Sequence, residues 1–342
     1  MMTYAWIIST IGASLPTDKS DTMKIEIITT KNESLRETGF GTTKACNSVL
    51  DSINLMGHSA TLNVSQSIED LNDVVQRRPD LVVLAVKYIV TQNEETIWLS
   101  EFFEKNGINF SGSLKDTLMF DSDKVLAKSH LKDRSISTAR YFTAVPGEYT
   151  RDYDIPINYP LFLKPSDAAN GNGIDEFSFV NNFAEFESKV SSLYNLYELP
   201  ILVEEYLDGQ EFTVAMIKTK NGDLLVSSVE VVPPKANNGI RILGEKVVKN
   251  EAEGLKVIED SIVMGRVKKL AIDVYMDLGI RDYGRVDIKS NKSGQCFFME
   301  ANLVPGMTNG TSYFPKAFEM ELGLSYEEVI ELIVDEGISR VQ

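Results

Sequence analysis

Two short segments in the last fifth of the sequence hold the residues best suited to chemistry: Arg285-Val286-Asp287 and Glu300-Ala301-Asn302. Both read as strands, joined by the turn Lys292-Ser293-Gly294-Gln295. Side chains alternate along a strand, so Arg285 and Asp287 share one face, as do Glu300 and Asn302. With those four residues as the hairpin loop, Asp287 lies across from Glu300 and Arg285 across from Asn302. Opposed carboxylates destabilise a hairpin by roughly 0.2–1 kcal/mol, and a divalent cation removes that repulsion. Magnesium takes a few oxygens from carboxylates and the rest from phosphates and water, so two carboxylates and an amide oxygen suit it. A solvated hairpin face with an incidental charge pair is the competing reading. The following Val304-Pro305-Gly306-Met307-Thr308 weakens it.

Three further segments could serve a nucleotide. Lys164 ends the apolar run Tyr159–Lys164 and precedes Ser166–Asn170 and Gly171-Asn172-Gly173. A lysine beside a glycine-rich loop can meet phosphate while backbone N–H groups cradle the oxygens; an ordinary Asn-Gly turn is the alternative. The run Ile201–Val214 reads as strand, turn, strand, with Glu204, Glu205, Tyr206 and Leu207 entering the turn and Glu211 leaving it. Backbone donors and acceptors between apolar side chains suit the edge of an adenine, and Glu211 could accept from ribose hydroxyls; a plain β-turn with exposed acids competes. Lys124 opens a helix, where the dipole disfavours a cation unless an anion is near. A surface lysine is the plainer reading there.

The elements that must position these residues fall into three groups. From Met23 to Phe110 strands are expected at 24–28, 60–64, 81–86 and 108–110, with helices at 44–56, 68–76 and 94–105. That alternation implies a parallel sheet with helices on both sides. No GxGxxG follows the first strand, so a dinucleotide site is not indicated. After Ser113 come a helix at 123–131, strands at 139–144, 159–164, 177–180 and 201–205, and a helix at 183–193, a small α+β unit. The remainder holds strands at 211–218, 224–232, 284–289 and 296–300 and helices at 261–276 and 325–334.

Composition narrows the classes. At 342 residues the chain exceeds one ordinary core, so subdomains are expected: an arm at 1–22, an N-terminal α/β unit at 23–112, a central unit at 113–203 and a C-terminal unit at 204–342. The arm reads as an addition or as a misassigned start, because no basic residue precedes its apolar stretch as in a signal peptide, and it is too short to span a membrane. A net charge of −16 without a run of Lys and Arg argues against nucleic acid and against anionic membranes. Cys46 and Cys296 are far apart and unpaired in pattern, which fits a reducing cytoplasm.

Taken in order, these segments resemble the ATP-grasp superfamily and, within it, D-alanine–D-alanine ligases. The likeness runs from Ser111 to Leu332 and is strongest in Asp-Tyr-Gly-Arg-Val-Asp (282–287) and Met-Glu-Ala-Asn-Leu-Val-Pro-Gly-Met-Thr (299–308). It implies an N-terminal Rossmann-like parallel sheet followed by two α+β subdomains clasping ATP. By resemblance, Lys124 and Lys164 bind ATP phosphates, and Asn170, Gly171 and Gly173 belong to the phosphate lid. Glu204, Glu205, Tyr206 and Leu207 hold the adenine with Met299 on its face, and Glu211 takes the ribose. Asp287, Glu300 and Asn302 ligate two magnesium ions, for which manganese could substitute. Arg285 and the Gly306 backbone stabilise an oxyanion, Thr311 helps hold the acceptor's carboxylate, and Lys246 supplies another phosphate contact. A cytoplasmic homodimer is also a family expectation.

The departures concern the donor half. D-alanine–D-alanine ligases carry a Glu-His/Arg-x-Val-Ser type motif, a His-Gly and a Gly-Glu-Asp-Gly; here Thr30–Glu37 and Val86–Glu94 stand instead, and Asn170 replaces the lid serine. The expectation is an ATP- and magnesium-dependent carboxylate–amine ligase working through an acyl phosphate, with a donor other than D-alanine. A genuine D-alanine–D-alanine ligase with an unusual donor site and a non-catalytic ATP-binding protein on the same fold remain as alternatives.

Overall fold

The computed structural model describes residues 22–31, 39–168, 171–236 and 239–340. The expected arm at 1–22, apart from Thr22, and the lid residue Asn170 lie outside the described residues.

The N-terminal unit runs β1 (Lys24–Thr29), α1 (Thr43–Leu55), β2 (Ser59–Val64), α2 (Ile68–Arg77), β3 (Leu81–Leu84), β4 (Tyr88–Val90), β5 (Thr96–Trp98) and α3 (Leu99–Lys105). Parallel pairing gives a sheet of order β2-β1-β3. β1 and β3 are buried on both faces, and the period of two sorts their side chains. Ile25, Ile27, Leu81 and Val83 join the main core, while Ile28, Val82 and Leu84 pack with Leu71, Val74 and Phe103 on the other side.

Two expectations fail here. Residues 94–105 are helical only from Leu99; before that, β4 and β5 form a hairpin pairing Tyr88 with Trp98 and Val90 with Thr96. Thr96-Ile97-Trp98 favours a strand, and Glu94 turns the chain at φ +61°. The strand at 108–110 shrinks to a single parallel bridge between Val82 and Phe110, so the sheet has three strands instead of four.

The central part begins with α4 (Lys115–Ser122) and α5 (Lys124–Asp133), then β6 (Tyr141–Ala144), β7 (Leu161–Pro165), β8 (Phe179–Val180), α6 (Phe183–Tyr197) and β9 (Ile201–Glu205). The four strands make an antiparallel sheet of order β6-β9-β7-β8. Leu161, Leu163 and Val203 of that sheet pack on Phe186 and Val190 of α6 as a separate core. The boundary expected at 203/204 falls within β9.

The last part holds β10 (Glu211–Lys218), β11 (Leu224–Val232), α7 (Glu245–Lys249), β12 (Gly254–Val257), α8 (Ser261–Asp277), β13 (Tyr283–Ser290), β14 (Cys296–Asn302), α9 (Tyr313–Leu322) and α10 (Tyr326–Ser339). Its antiparallel sheet has the order β12-β11-β10-β13-β14. Phe212, Val214, Phe298 and Val286 share one core with Ala127 and Leu131 of α5, Val329 and Ile333 of α10, and the N-terminal sheet. The main core therefore fixes β13 and β14 relative to α5, which matters because both carry site residues. No helix among the described residues is long and apolar enough to cross a membrane.

Candidate active site

A cavity of about 320 Å³ lies between the central and C-terminal sheets. Its floor is the β13–β14 ladder, where Asp287 pairs with Glu300 and Arg285 with Asn302, as alternation implies. The route to that register differs from expectation. The turn comprises residues 291–295, since Ser290 pairs with Cys296, and Met299 bulges out between Phe298, opposite Ile288, and Glu300, opposite Asp287. One added loop residue and one bulged residue restore the pairing. The bulge also lets the consecutive residues Met299 and Glu300 both line the cavity, while Phe298 and Ala301 stay in the core.

Asp287 is densely bonded. Its Oδ1 accepts from Thr213 Oγ1 at 2.7 Å and Arg285 Nε at 3.1 Å, and its Oδ2 from Arg285 Nη2 at 2.9 Å and Asn302 Nδ2 at 3.0 Å. Thr213 reaches it because β10 pairs Thr213 directly with Asp287. Burial pushes the Asp287 carboxyl above its usual range; Arg285 opposes that and Glu300 adds to it. Burial also disfavours charge on Glu300, but Lys124, Lys164 and Arg285 outweigh it and hold that carboxyl low. Among the described residues no three His, Cys, Asp or Glu converge. A cation would have two carboxylates and the Asn302 amide, a donor set that fits magnesium shared with phosphate and water.

The lysines form the wall. Asp123 caps α5, accepting from the N–H groups of Val125 and Leu126 at 2.9 Å, and so places Lys124 on the first turn. Lys124 Nζ donates to the Ala168 carbonyl at 2.6 Å and sits 3.3 Å from Glu300 Oε2. Lys164 pairs with Glu204 at 2.8 Å. Lys128, one turn beyond Lys124, is buried and meets the same carboxylate at 2.5 Å. Burial alone would raise Glu204, but the two lysines hold it down to about 2. The Glu204 carboxylate is thus a counter-ion fixing two lysines, a role beyond the adenine contact expected of it.

Tyr206 and Leu207 line the cavity with Phe162, Met299, Val231 and Ile242, giving an apolar slot suited to a flat base. The Glu205 carboxylate turns away to Arg140, accepting from its N–H and its Nε at 2.8 Å each. Glu211 pairs with Lys289 at 3.0 Å. Gly209 must be glycine, since a Cβ there would lie 2.4 Å from Ser290 Oγ. In the lid, Gly171 lines the cavity at φ +68°; Gly173 packs outside the lining, against Pro165 and Tyr197. Gly306 and Thr311 line the opposite end. Lys246 is not brought in: it is exposed on α7, and Ile242, Leu243 and Val248 of that segment line the cavity instead.

Sequence reasoning missed several lining or supporting residues. Thr213 was legible, sharing a strand face with Glu211, and Lys128 lies four residues after Lys124 on one helix face. Gly39–Thr42, Glu253 and Tyr313 carry no local signal and reach the cavity only through tertiary packing.

Two α+β units closing on a slot floored by paired carboxylates and walled by lysines define an ATP-grasp protein. A D-alanine–D-alanine ligase from Bacillus anthracis complexed with ATP superposes with a TM-score of 0.72 at 21% identity, covering 94% of this chain and 98% of that one. The VanG D-Ala:D-Ser ligase from Enterococcus faecalis gives 0.68 at 18%, covering 92% and 99%. Residues 136–335 match the family profile described as D-ala D-ala ligase C-terminus, and the chain belongs to that family. Among its relatives, a D-alanine–D-alanine ligase B from Clostridium perfringens is 29% identical over 67% of this chain and 71% of its own length. One from Aquifex aeolicus is 24% identical over 91% and 100%.

Proposed function

We propose that this chain is an ATP- and magnesium-dependent carboxylate–amine ligase of the D-alanine–D-alanine ligase type, acting in the cytoplasm on amino-acid substrates. The observation that carries the reading is the opposition of Asp287 and Glu300 at the floor of a cavity walled by Lys124 and Lys164. Like-charged, half-buried carboxylates flanked by lysines suit a polyphosphate with its metal. The relatives' names support amide formation from two amino acids.

The donor carboxylate attacks the γ-phosphorus of ATP, forming an acyl phosphate and releasing ADP. Lys124 and Lys164 meet the charge on the transferring group. The acceptor amine then attacks the acyl carbon; Arg285 and the Gly306 N–H meet the oxyanion, phosphate leaves, and the amine loses its proton. Asp287, Glu300 and Asn302 would hold magnesium, which would supply charge neutralisation for the phosphates. Gly171 and Asn172 line the site and help exclude water, which would otherwise hydrolyse the acyl phosphate.

Phosphate release from ATP and magnesium with pooled D-amino acids, L-amino acids and small carboxylates tests this, with Asp287→Ala as control. Release confined to one pool and abolished by the substitution supports the reading. Binding of ATP without release from any pool overturns it.

A further inference from the structure

The acids lining the cavity differ in how they are balanced. Glu204 meets Lys128 and Lys164, Glu205 meets Arg140, Glu211 meets Lys289, Asp287 meets Arg285 and Glu300 meets Lys124. Glu251 is exposed to water. Glu253 is different: partly buried, with no cationic partner among the described residues. Its Oε1 accepts from the Tyr313 hydroxyl, while its Oε2 is shut off from solvent and has no hydrogen-bond partner among the described residues. Leaving a desolvated carboxylate oxygen unpaired is costly, and a ligand in the cavity could supply the missing partner.

The position identifies that partner's chemistry. Glu253 precedes β12, and Tyr313 opens α9 beside Thr311 and Ser312, all of them lining the cavity near Gly306. The Arg285 guanidinium lies 5.4 Å from the centre of the Tyr313 ring. Tyr313 therefore touches the acyl-transfer residue with its ring and Glu253 with its hydroxyl, which keeps Glu253 on the acyl-transfer side of the cavity. Burial and Glu253 together keep the phenol well above its ordinary range, so it stays a neutral donor to the carboxylate.

We infer that Glu253, held by Tyr313, is a specificity residue that binds the protonated primary amine of a substrate. The inference rests on the ligase reading and deepens it. The ammonium could belong to the donor amino acid or to the acceptor before its proton is lost.

The test uses the full chain and its Glu253→Gln, Glu253→Asp and Tyr313→Phe variants, with thermal midpoints confirming that each folds. Phosphate release is followed with glycine and D- or L-alanine, and with acetate and propanoate as probes lacking the amine. Glu253→Gln should raise KM for the amino acid about 10–100-fold, with KM for ATP and any propanoate turnover unchanged. Glu253→Asp should recover part of the loss. With hydroxylamine as acceptor, a persisting KM effect assigns the ammonium to the donor, and its disappearance assigns it to the acceptor. An amino-acid KM that Glu253→Gln leaves within about twofold overturns the assignment. Calorimetric binding of alanine in the presence of ADP and magnesium separates the two claims. Weakened binding in Glu253→Gln without turnover in either protein upholds Glu253 and sinks the ligase reading; absent or equal binding sinks Glu253.

Discussion

Asp287 faces Glu300 across β13 and β14 because Met299 is bulged out of the ladder between them and the turn. With Met299 paired in a regular ladder, the five-residue turn would set Asp287 opposite Met299, and the two carboxylates would no longer face each other. The pair in turn draws in Arg285, Thr213 and Asn302 around Asp287 and Lys124 around Glu300.

Magnesium should bind with a pH-dependent gain in stability. Burial and Glu300 raise Asp287 above its unfolded pKa, so the metal-free fold is favoured below the unfolded value and loses that share as pH rises through the folded one. A cation binds the ionised form. The rise in thermal midpoint on adding magnesium should therefore be larger at about pH 7.5 than at about pH 5. Glu300→Gln should abolish most of the increment. An increment that shrinks with pH, or survives Glu300→Gln, contradicts the assignment.

Arg285→Ala should reduce kcat roughly 10²–10³-fold, as for loss of one oxyanion donor, with KM for ATP little changed. Arg285 also neutralises Asp287, so magnesium affinity should not fall. Steady-state kinetics with varied magnesium distinguishes the two roles. Near-normal turnover would remove Arg285 from the acyl-transfer step.

Acid should weaken the protein partly through Glu204. Its folded pKa, about 2, lies below the ordinary 4.5, so its contribution is present above 4.5 and is lost as pH falls towards about 2. Lys128→Met leaves a buried carboxylate with one lysine in place of two and should cost about 3–5 kcal/mol at neutral pH. Lys128→Met with Glu204→Gln should be less damaging than the two single effects summed. Additive losses in denaturant unfolding would show that the pair is not coupled.

Gly39→Ala should destabilise the fold and disturb the side of the cavity that Gly39–Thr42 line. Gly39 has φ +46°, and an added Cβ would lie 1.9 Å from the Ala85 carbonyl oxygen. The next residue, Phe40, bonds to Ala85 through its N–H and to Met307 through its carbonyl, so the shift passes directly to the Gly306 segment. A loss of about 1–3 kcal/mol is expected, together with a raised KM for the amino acid. An unchanged thermal midpoint would contradict it.

Much of this site was legible because strand alternation is strict. Asp287 opposite Glu300 follows from period two; the expected four-residue turn and unbulged ladder each differ from the structure by one residue, and the differences cancel. Lys124 at the start of a helix and Lys164 before a glycine-rich loop also followed from local pattern. What escaped depends on distant contacts. The β4–β5 hairpin was hidden under a pattern that also fits a helix, and α4 reads as polar because only Leu118 of it is buried. Lys246 and Lys128 show the same limit from both sides. Lys246, expected at a phosphate, is exposed on α7 and outside the cavity lining, while Lys128, one turn beyond Lys124 on the expected helix, is buried against Glu204.

The central claim, a ligase working through an acyl phosphate, is tested most directly by isotope transfer. The active amino-acid donor, labelled with ¹⁸O in its carboxylate, would be incubated with ATP, magnesium and acceptor, and both products analysed by mass spectrometry. The account predicts an amide product and one labelled oxygen carried from donor to inorganic phosphate for each amide formed. Amide formation with unlabelled phosphate, or with AMP and pyrophosphate as products, would contradict it.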